Sequence, residues 1–360
     1  MLPPQKLRKG RGALSNPEGR FESRRVQPVD DGWTIDPDEE PPALVTTVTP
    51  EHAKSIISRN DSPDIPFEQS INPYRGCGHG CIYCYARPAH SYVNLSPGLD
   101  FETKLFYKEN AAQLLEEELS RPHYVCKPIN LGANTDPYQP IEKTLEVTRS
   151  ILLVLHRLRH PVTIVTKGHL IERDIDILSD MARDHLASVH VSVTTLDSDL
   201  KRILEPRAPS GAARLHAIRR LDAAGIPVGT LVAPVIPAVN DHEIEHILAA
   251  VAQAGSRTAA YVMLRLPHEV KDLFREWLIA HYPLRAAHVM SLVNDLRGGR
   301  DNDPNFGTRM RGTGPFADLV RRRFVVACRK VNLNTVRRVA LNTQLYRPSR
   351  PLGAQLDLGF

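Results

Sequence analysis

Three of the chain's five cysteines fall within eight residues, as Cys77, Cys81 and Cys84 in the stretch CGHGCIYCY. In a reducing compartment a cluster this tight reads as metal-binding or catalytic rather than as a disulfide framework. The spacing is Cys-x3-Cys-x2-Cys, and no second Cys or His pair exists to close a structural zinc tetrahedron. His79 stands two residues from Cys77, where joining such a tetrahedron would strain it. Soft thiolates suit iron, and a 4Fe-4S cube has four irons that usually take four cysteines. Three thiolates leave one iron open to another ligand, which a simple electron carrier does not need. Cys126 and Cys328 stand apart and read as small buried hydrophobes.

The elements that would position this loop are legible as alternating β and α patterns from about residue 65 to 290. The helix pattern Glu142 to His160 carries an apolar stripe of Val147, Ile151, Val154, Leu155 and Leu158, with Lys143, Glu146, Arg149, Arg157 and Arg159 on the polar side. It lies between the candidate strands PINLGANTD and VTIVTK. Helical patterns over Leu170 to Asp184, Gly211 to Ala224 and His242 to Ala254 lead into SVHVSVTT, IPVGTLVAPVI and AAYVMLRL. With the strand near FEQSINPY these make six β/α units, and their near-continuous apolar strands suit a parallel sheet covered on both sides. The expected fold is therefore α/β, a partial (β/α)6 TIM-like barrel, with its site at the C-terminal strand ends. The cysteine loop follows the first strand and falls at that edge.

The cysteine spacing, with Tyr83 before the last cysteine, resembles the signature of the radical S-adenosylmethionine (SAM) superfamily. That resemblance implies a 4Fe-4S cluster whose open iron chelates SAM through its amino and carboxylate groups. Reductive cleavage then gives methionine and a 5'-deoxyadenosyl radical that abstracts hydrogen from a substrate, with a one-electron donor such as flavodoxin or ferredoxin. Within the superfamily, GCGHGCIYCY with Tyr85, ANTDPYQPIE, VTK, VHVSV, EPRAPS and GIPVGTLVAPVIP are similar to segments of spore photoproduct lyases. The likeness implies that Lys167 meets the SAM carboxylate and that Ser192 and Thr135 bond its methionyl or ribose groups. It also implies that Asp136 reaches the ribose or amino group and that Arg207 forks onto a carboxylate. One departure matters: the lyases carry a hydrogen-donating cysteine where this chain has Asn134, and an amide cannot donate in that way.

The two ends frame this core. Residues 1–62, with the acidic, proline-rich DPDEEPP, are expected to form an irregular or disordered extension, followed by a barrel over 63–290 and a C-terminal extension over 291–360. The chain of 360 residues has 46 Lys and Arg against 41 Asp and Glu, a net charge of +5 that permits a polyanionic partner. Arginines are dense between Arg297 and Arg323, where NDPNFGTRMRGTG has the content of a loop able to cover an open barrel, and FADLVRRRFVVACRKV reads as a packing helix with a basic outer face. The tail Gln355 to Phe360, QLDLGF, resembles the bacterial sliding-clamp-binding motif, which implies recruitment to DNA. No run of eighteen apolar residues and no signal-peptide pattern occur, so a cytoplasmic protein is expected. The sequence reading is a radical enzyme acting on a damaged or modified nucleic-acid base. Radical modification of RNA or a peptide, and a non-enzymatic iron-sulfur or zinc module, are the alternatives.

Overall fold

The computed structural model describes residues 9–22, 44–335 and 340–348, so the clamp-like peptide 355–360 lies outside the described residues. Its strands in chain order are β1 (Thr47–Glu51), β2 (Ile57–Arg59), β3 (Gln69–Ile71), β4 (Tyr74–Arg75), β5 (Lys104–Lys108), β6 (Ile129–Leu131), β7 (Val162–Thr166), β8 (Ala187–Ser192), β9 (Val228–Val235) and β10 (Thr258–Met263). The main sheet has the order β10-β9-β8-β7-β6-β3-β2. Its six strands from β3 to β10 run parallel, in chain order, and β2 joins the edge antiparallel to β3. All six strands expected from the apolar runs are present. No ladder joins β10 to β2 among the described residues, which makes this an open, partial barrel.

The parallel order follows from connections long enough to carry a helix back across the sheet, and from apolar side chains that both surfaces bury. Ile164, Val189 and Ile129 are fully buried under helices whose own stripes, such as Ile151, Leu152 and Leu155, are equally enclosed. Each such side chain contributes about 1.5–3 kcal/mol relative to exposure. The stripe predicted on residues 142–160 is buried as expected, but the helix is not continuous. It divides into Glu142–Leu145 and Val147–Arg157, with Glu146 left-handed at φ 52°. The Glu142 carboxylate explains the break, because it accepts from the Thr148 and Arg149 amides at 2.9 and 3.3 Å and caps the second helix.

Of the extension expected to be irregular or disordered, residues 9–22 are irregular but packed, and residues 44–59 include two strands. The Gly12 and Ala13 amides donate to Glu102 at 3.0 and 2.8 Å, and Ala13 is fully buried. β1 pairs parallel with β5, so the folded body begins well before the expected boundary. Every one of these bonds reaches far along the chain, which no local periodicity could reveal. The C-terminal part is equally integral. The helix Gly314–Lys330 buries Ala317, Val320, Phe324, Ala327 and Cys328 in the main core and leaves Arg321, Arg322, Arg329 and Lys330 outside, as its pattern suggested.

Residues 302–313 run between the two ends of the open sheet. The Met263 amide at the end of β10 donates to the Met310 carbonyl at 2.9 Å. On the other side Arg309 pairs with Asp64 at 2.5 Å, and the Gly307 amide donates to the same carboxylate at 2.7 Å, in the connection between β2 and β3. The sheet's ends are thus laced by this segment rather than by a ladder.

Candidate functional site

The cysteine loop leaves β4 at Gly76 (φ 76°) and turns again at Gly80 (φ 70°), conformations that glycine adopts without strain. A side chain at Gly80 would also meet Glu102 Oε2 at 2.8 Å, so both backbone and space require glycine there. Buried Arg87 clamps the loop: its guanidinium donates to the Cys81 carbonyl at 2.8 and 3.0 Å and pairs with Glu102 at 2.5 Å. Gln139 holds the other flank, accepting from the Gly78 amide at 2.8 Å and donating to the Gly76 carbonyl at 3.2 Å. The loop is therefore fixed by side chains from two separate segments, one of them braced by Glu102, before any cofactor enters it.

Cys77 and Cys81 are buried and Cys84 is partly exposed. Cys77 and Cys84 share a small apolar cluster with Ala86 and Phe101, and Cys84 also packs on the cluster that holds Cys81 and Tyr83. Burial and the neighbouring Asp136 and thiols push Cys77 far up, and burial with Glu205 pushes Cys81 to about 12. Thiols so placed keep their protons unless cations replace them, which is the electrostatics of a metal-binding loop. Among the described residues no three His, Cys, Asp or Glu side chains converge as a single metal ion requires. A polynuclear cluster makes no such demand, because each thiolate goes to a different iron. The all-sulfur donor set therefore fits a 4Fe-4S cluster.

The ends of the parallel strands bring the other residues to this loop. Lys167 follows β7 directly, with its ammonium 5.7 Å from the centre of the Tyr83 ring and no ion-pair partner among the described residues. Burial alone would lower its pKa, but the negative surroundings of Cys81 and Glu205 outweigh burial and favour the charged form. Ser192 ends β8 buried, and its hydroxyl has no hydrogen-bond partner among the described residues. Tyr85, half exposed, donates its hydroxyl to the Ala133 carbonyl beyond β6.

Other expected contacts are engaged locally. The Asp136 carboxylate accepts from the Thr166 hydroxyl at 2.6 Å, the Lys167 amide at 2.7 Å and the Tyr138 amide at 2.9 Å. Burial opposes its charge, yet His79 at 3.4 Å and these donors hold it well below the ordinary carboxylate range. Its oxygens fasten the Lys167 turn. The Thr135 hydroxyl faces the Tyr74 carbonyl at 3.3 Å. Arg207 is exposed and meets the loop through its amide, which donates to the His79 carbonyl at 3.1 Å. Cys126 precedes β6 and so lies at the opposite end of that strand from Asn134.

Sequence reasoning missed the buried support beneath Tyr83. The Tyr83 hydroxyl donates to Glu205, Thr194 Oγ1 lies 2.8 Å from the same carboxylate, and Arg214 pairs with it while donating to the Ser192 carbonyl at 3.0 Å. Burial raises the Glu205 pKa, but Arg214 and Lys167 bring it down to about 2. EPRAPS and the helix Gly211–Ala223 carry Glu205 and Arg214, and nothing local in either marks a buried ion pair. Arg265, just past β10, was missed as well.

Residues 71–251, half of the chain, match the family model described as Radical SAM superfamily. The chain belongs to the radical SAM superfamily. Proteins of this superfamily are enzymes that use a 4Fe-4S cluster and SAM, and the donor set above accords with that. Curated relatives include uncharacterised proteins of Mycobacterium bovis and Mycobacterium tuberculosis, each 37% identical over 221 residues, which cover 61% of this chain. The match spans 65% of those relatives' length, somewhat under two thirds. A protein of Methanocaldococcus jannaschii is 28% identical over 213 residues, covering 59% of this chain and 76% of that protein. Among solved structures, spore photoproduct lyase complexed with dinucleoside spore photoproduct matches with a TM-score of 0.56 and 14% identity over 79% of each chain. That likeness is one of fold.

Proposed function

We propose that this radical SAM enzyme abstracts hydrogen from a nucleic-acid base, with Cys77, Cys81 and Cys84 holding the cluster. Bound on those thiolates, the cluster and SAM supply the electron and the carbon radical for the abstraction. The observation that carries this reading is Lys167, an ammonium beside the Tyr83 ring and Cys81 that has no ion-pair partner among the described residues. It suits the SAM carboxylate, and the Ser192 hydroxyl suits a neighbouring polar group. Asp136 fixes the turn that presents Lys167, while Glu205 and Arg214 hold Tyr83 against it. Pre-set in this way, the residues need no rearrangement when the cofactor binds.

The base as substrate is supported by the fold shared with a lyase complexed with a dinucleoside and by the basic arginine-rich C-terminal part. Asn134 and the distant Cys126 argue for a reaction that does not return hydrogen from a cysteine at that position. Recruitment to DNA through Gln355 to Phe360 belongs to the same reading, and loss of sliding-clamp binding on deleting that peptide tests it. The decisive experiment is anaerobic reconstitution followed by dithionite and SAM, with a deuterated damaged oligonucleotide present. Four irons per chain, lost when any one of the three cysteines becomes alanine, and deuterium in the released 5'-deoxyadenosine are expected. Iron retained by the alanine variants, or deoxyadenosine without deuterium from any oligonucleotide, would overturn the reading.

A further inference from the structure

On the rim of the site three arginines lie over aromatic rings. Arg265 is 6.0 Å from the centre of Tyr85, Arg309 is 4.5 Å from Phe306, and Arg311 is 4.2 Å from Tyr261. The pairs are contiguous: Arg265 Nη1 lies 3.8 Å from Met310 Sδ, between Arg309 and Arg311 in sequence. The residues Tyr85 and Phe306 are 51% and 57% exposed, so each offers open aromatic surface.

The charge here is in surplus. Arg265 and Arg311 have no carboxylate partner among the described residues, and the buried Nε of Arg265 has no hydrogen-bond acceptor. The nearest acids are already engaged. Asp64 takes Arg309 and the Gly307 amide, and Asp303 accepts from the Thr308 hydroxyl at 2.5 Å and the Asn305 amide at 2.9 Å. An acidic peptide would answer the arginines but leave the rings idle. A strand of nucleic acid supplies a planar base and a phosphate at every step, and only a single strand has base faces free for the rings.

We propose that residues 302–313 and the end of β10 form a cradle for single-stranded nucleic acid, in which Phe306 and Tyr85 stack on bases while Arg265 and Arg311 contact phosphates. This rests on the nucleic-acid reading above and extends it to the form of the substrate. Arg309, tied to Asp64, keeps the Phe306 loop against the sheet and acts as a positioning residue.

Fluorescence anisotropy of the reconstituted holoenzyme with labelled oligothymidylate, oligouridylate, a duplex and polyglutamate tests this, at equal cluster content for every variant. Tighter binding of single strands than of duplex or polyglutamate is expected, and the two single strands tell whether the sugar is read. Phe306→Ala should weaken single-strand binding on the order of tenfold, with Phe306→Tyr restoring it. Arg311→Gln should reduce the slope of log affinity against log salt by about 0.7. Leu284→Ala, at a side chain 99% exposed and outside the cradle, should bind as the parent does. Equal binding of duplex or polyglutamate, or an unchanged Phe306→Ala, would overturn the cradle. If strands are held this way yet no deuterium reaches deoxyadenosine, the catalytic reading fails and the cradle stands. Deuterium transfer from an oligonucleotide with Phe306→Ala silent would remove the cradle alone.

Discussion

Replacing Arg214 by methionine isolates the contribution of the ion pair beneath Tyr83. The side chains of Arg214 and Glu205 are 1% and 0% exposed, and the guanidinium also donates to the Ser192 and Pro209 carbonyls at 3.0 and 3.1 Å. Methionine fills most of the volume but strands a buried carboxylate, and breaking such a pair from one side costs about 3–5 kcal/mol. The Tyr83 and Thr194 hydroxyls still reach Glu205, and Lys167 is close enough to offset part of the charge, which puts the expected loss near the lower limit. A loss of about 3 kcal/mol lowers Tm by about 4 °C in a chain of this size. Thermal unfolding of the reduced protein followed by circular dichroism reads this directly. Adding Glu205→Gln to Arg214→Met removes the stranded charge and should recover about half of the loss, whereas the same pair on the surface would respond to neither change. A drop under about 2 °C for the single variant, or strict additivity of the two, would refute the claim that this pair is dry and coupled.

Lys167→Gln, which keeps length but loses the charge, should weaken SAM binding to the holoenzyme by about tenfold to a hundredfold, measured by equilibrium dialysis. His160 is fully buried between Tyr124 and Tyr346, and burial lowers its pKa from 6.5 to about 4. The folded state therefore resists the proton that the unfolded chain accepts, and stability present above pH 6.5 is lost as the pH falls towards 4, by about 3 kcal/mol from this residue. Denaturant titrations across that range should show the slope, and His160→Gln should flatten it. Asp64→Ala removes the acceptor of both Arg309 and the Gly307 amide, so hydrogen exchange should quicken across residues 302–313 while β7 and β8 stay protected.

The strands and the cysteine loop were legible because their signals are local. Alternating β and helical periods yielded all six parallel strands in order, and three thiols at fixed spacing with an adjacent tyrosine fall within eight residues. Lys167 was readable too, since a cation directly after an apolar strand must emerge at that strand's end. The break at Glu146 was not, because it depends on where the Glu142 carboxylate points once folded. Nor were the packed residues 9–22, whose partner Glu102 lies about ninety positions away.

By itself the sequence determined the chemistry of the loop and the direction of the sheet that carries it, since ligand type and hydrophobic period are properties of neighbouring residues. Only the tertiary structure decided which polar groups are free. Asp136 and Lys167 both suit a cofactor in the sequence, yet folding gives the Asp136 carboxylate three protein donors and leaves the Lys167 ammonium without an ion-pair partner among the described residues. It likewise set Arg265 over Tyr85 and Arg309 over Phe306, pairs separated by 180 positions in one case and three in the other. Burial and charge compensation are sums over all neighbours in space, and those neighbours exist only after the chain has closed on itself.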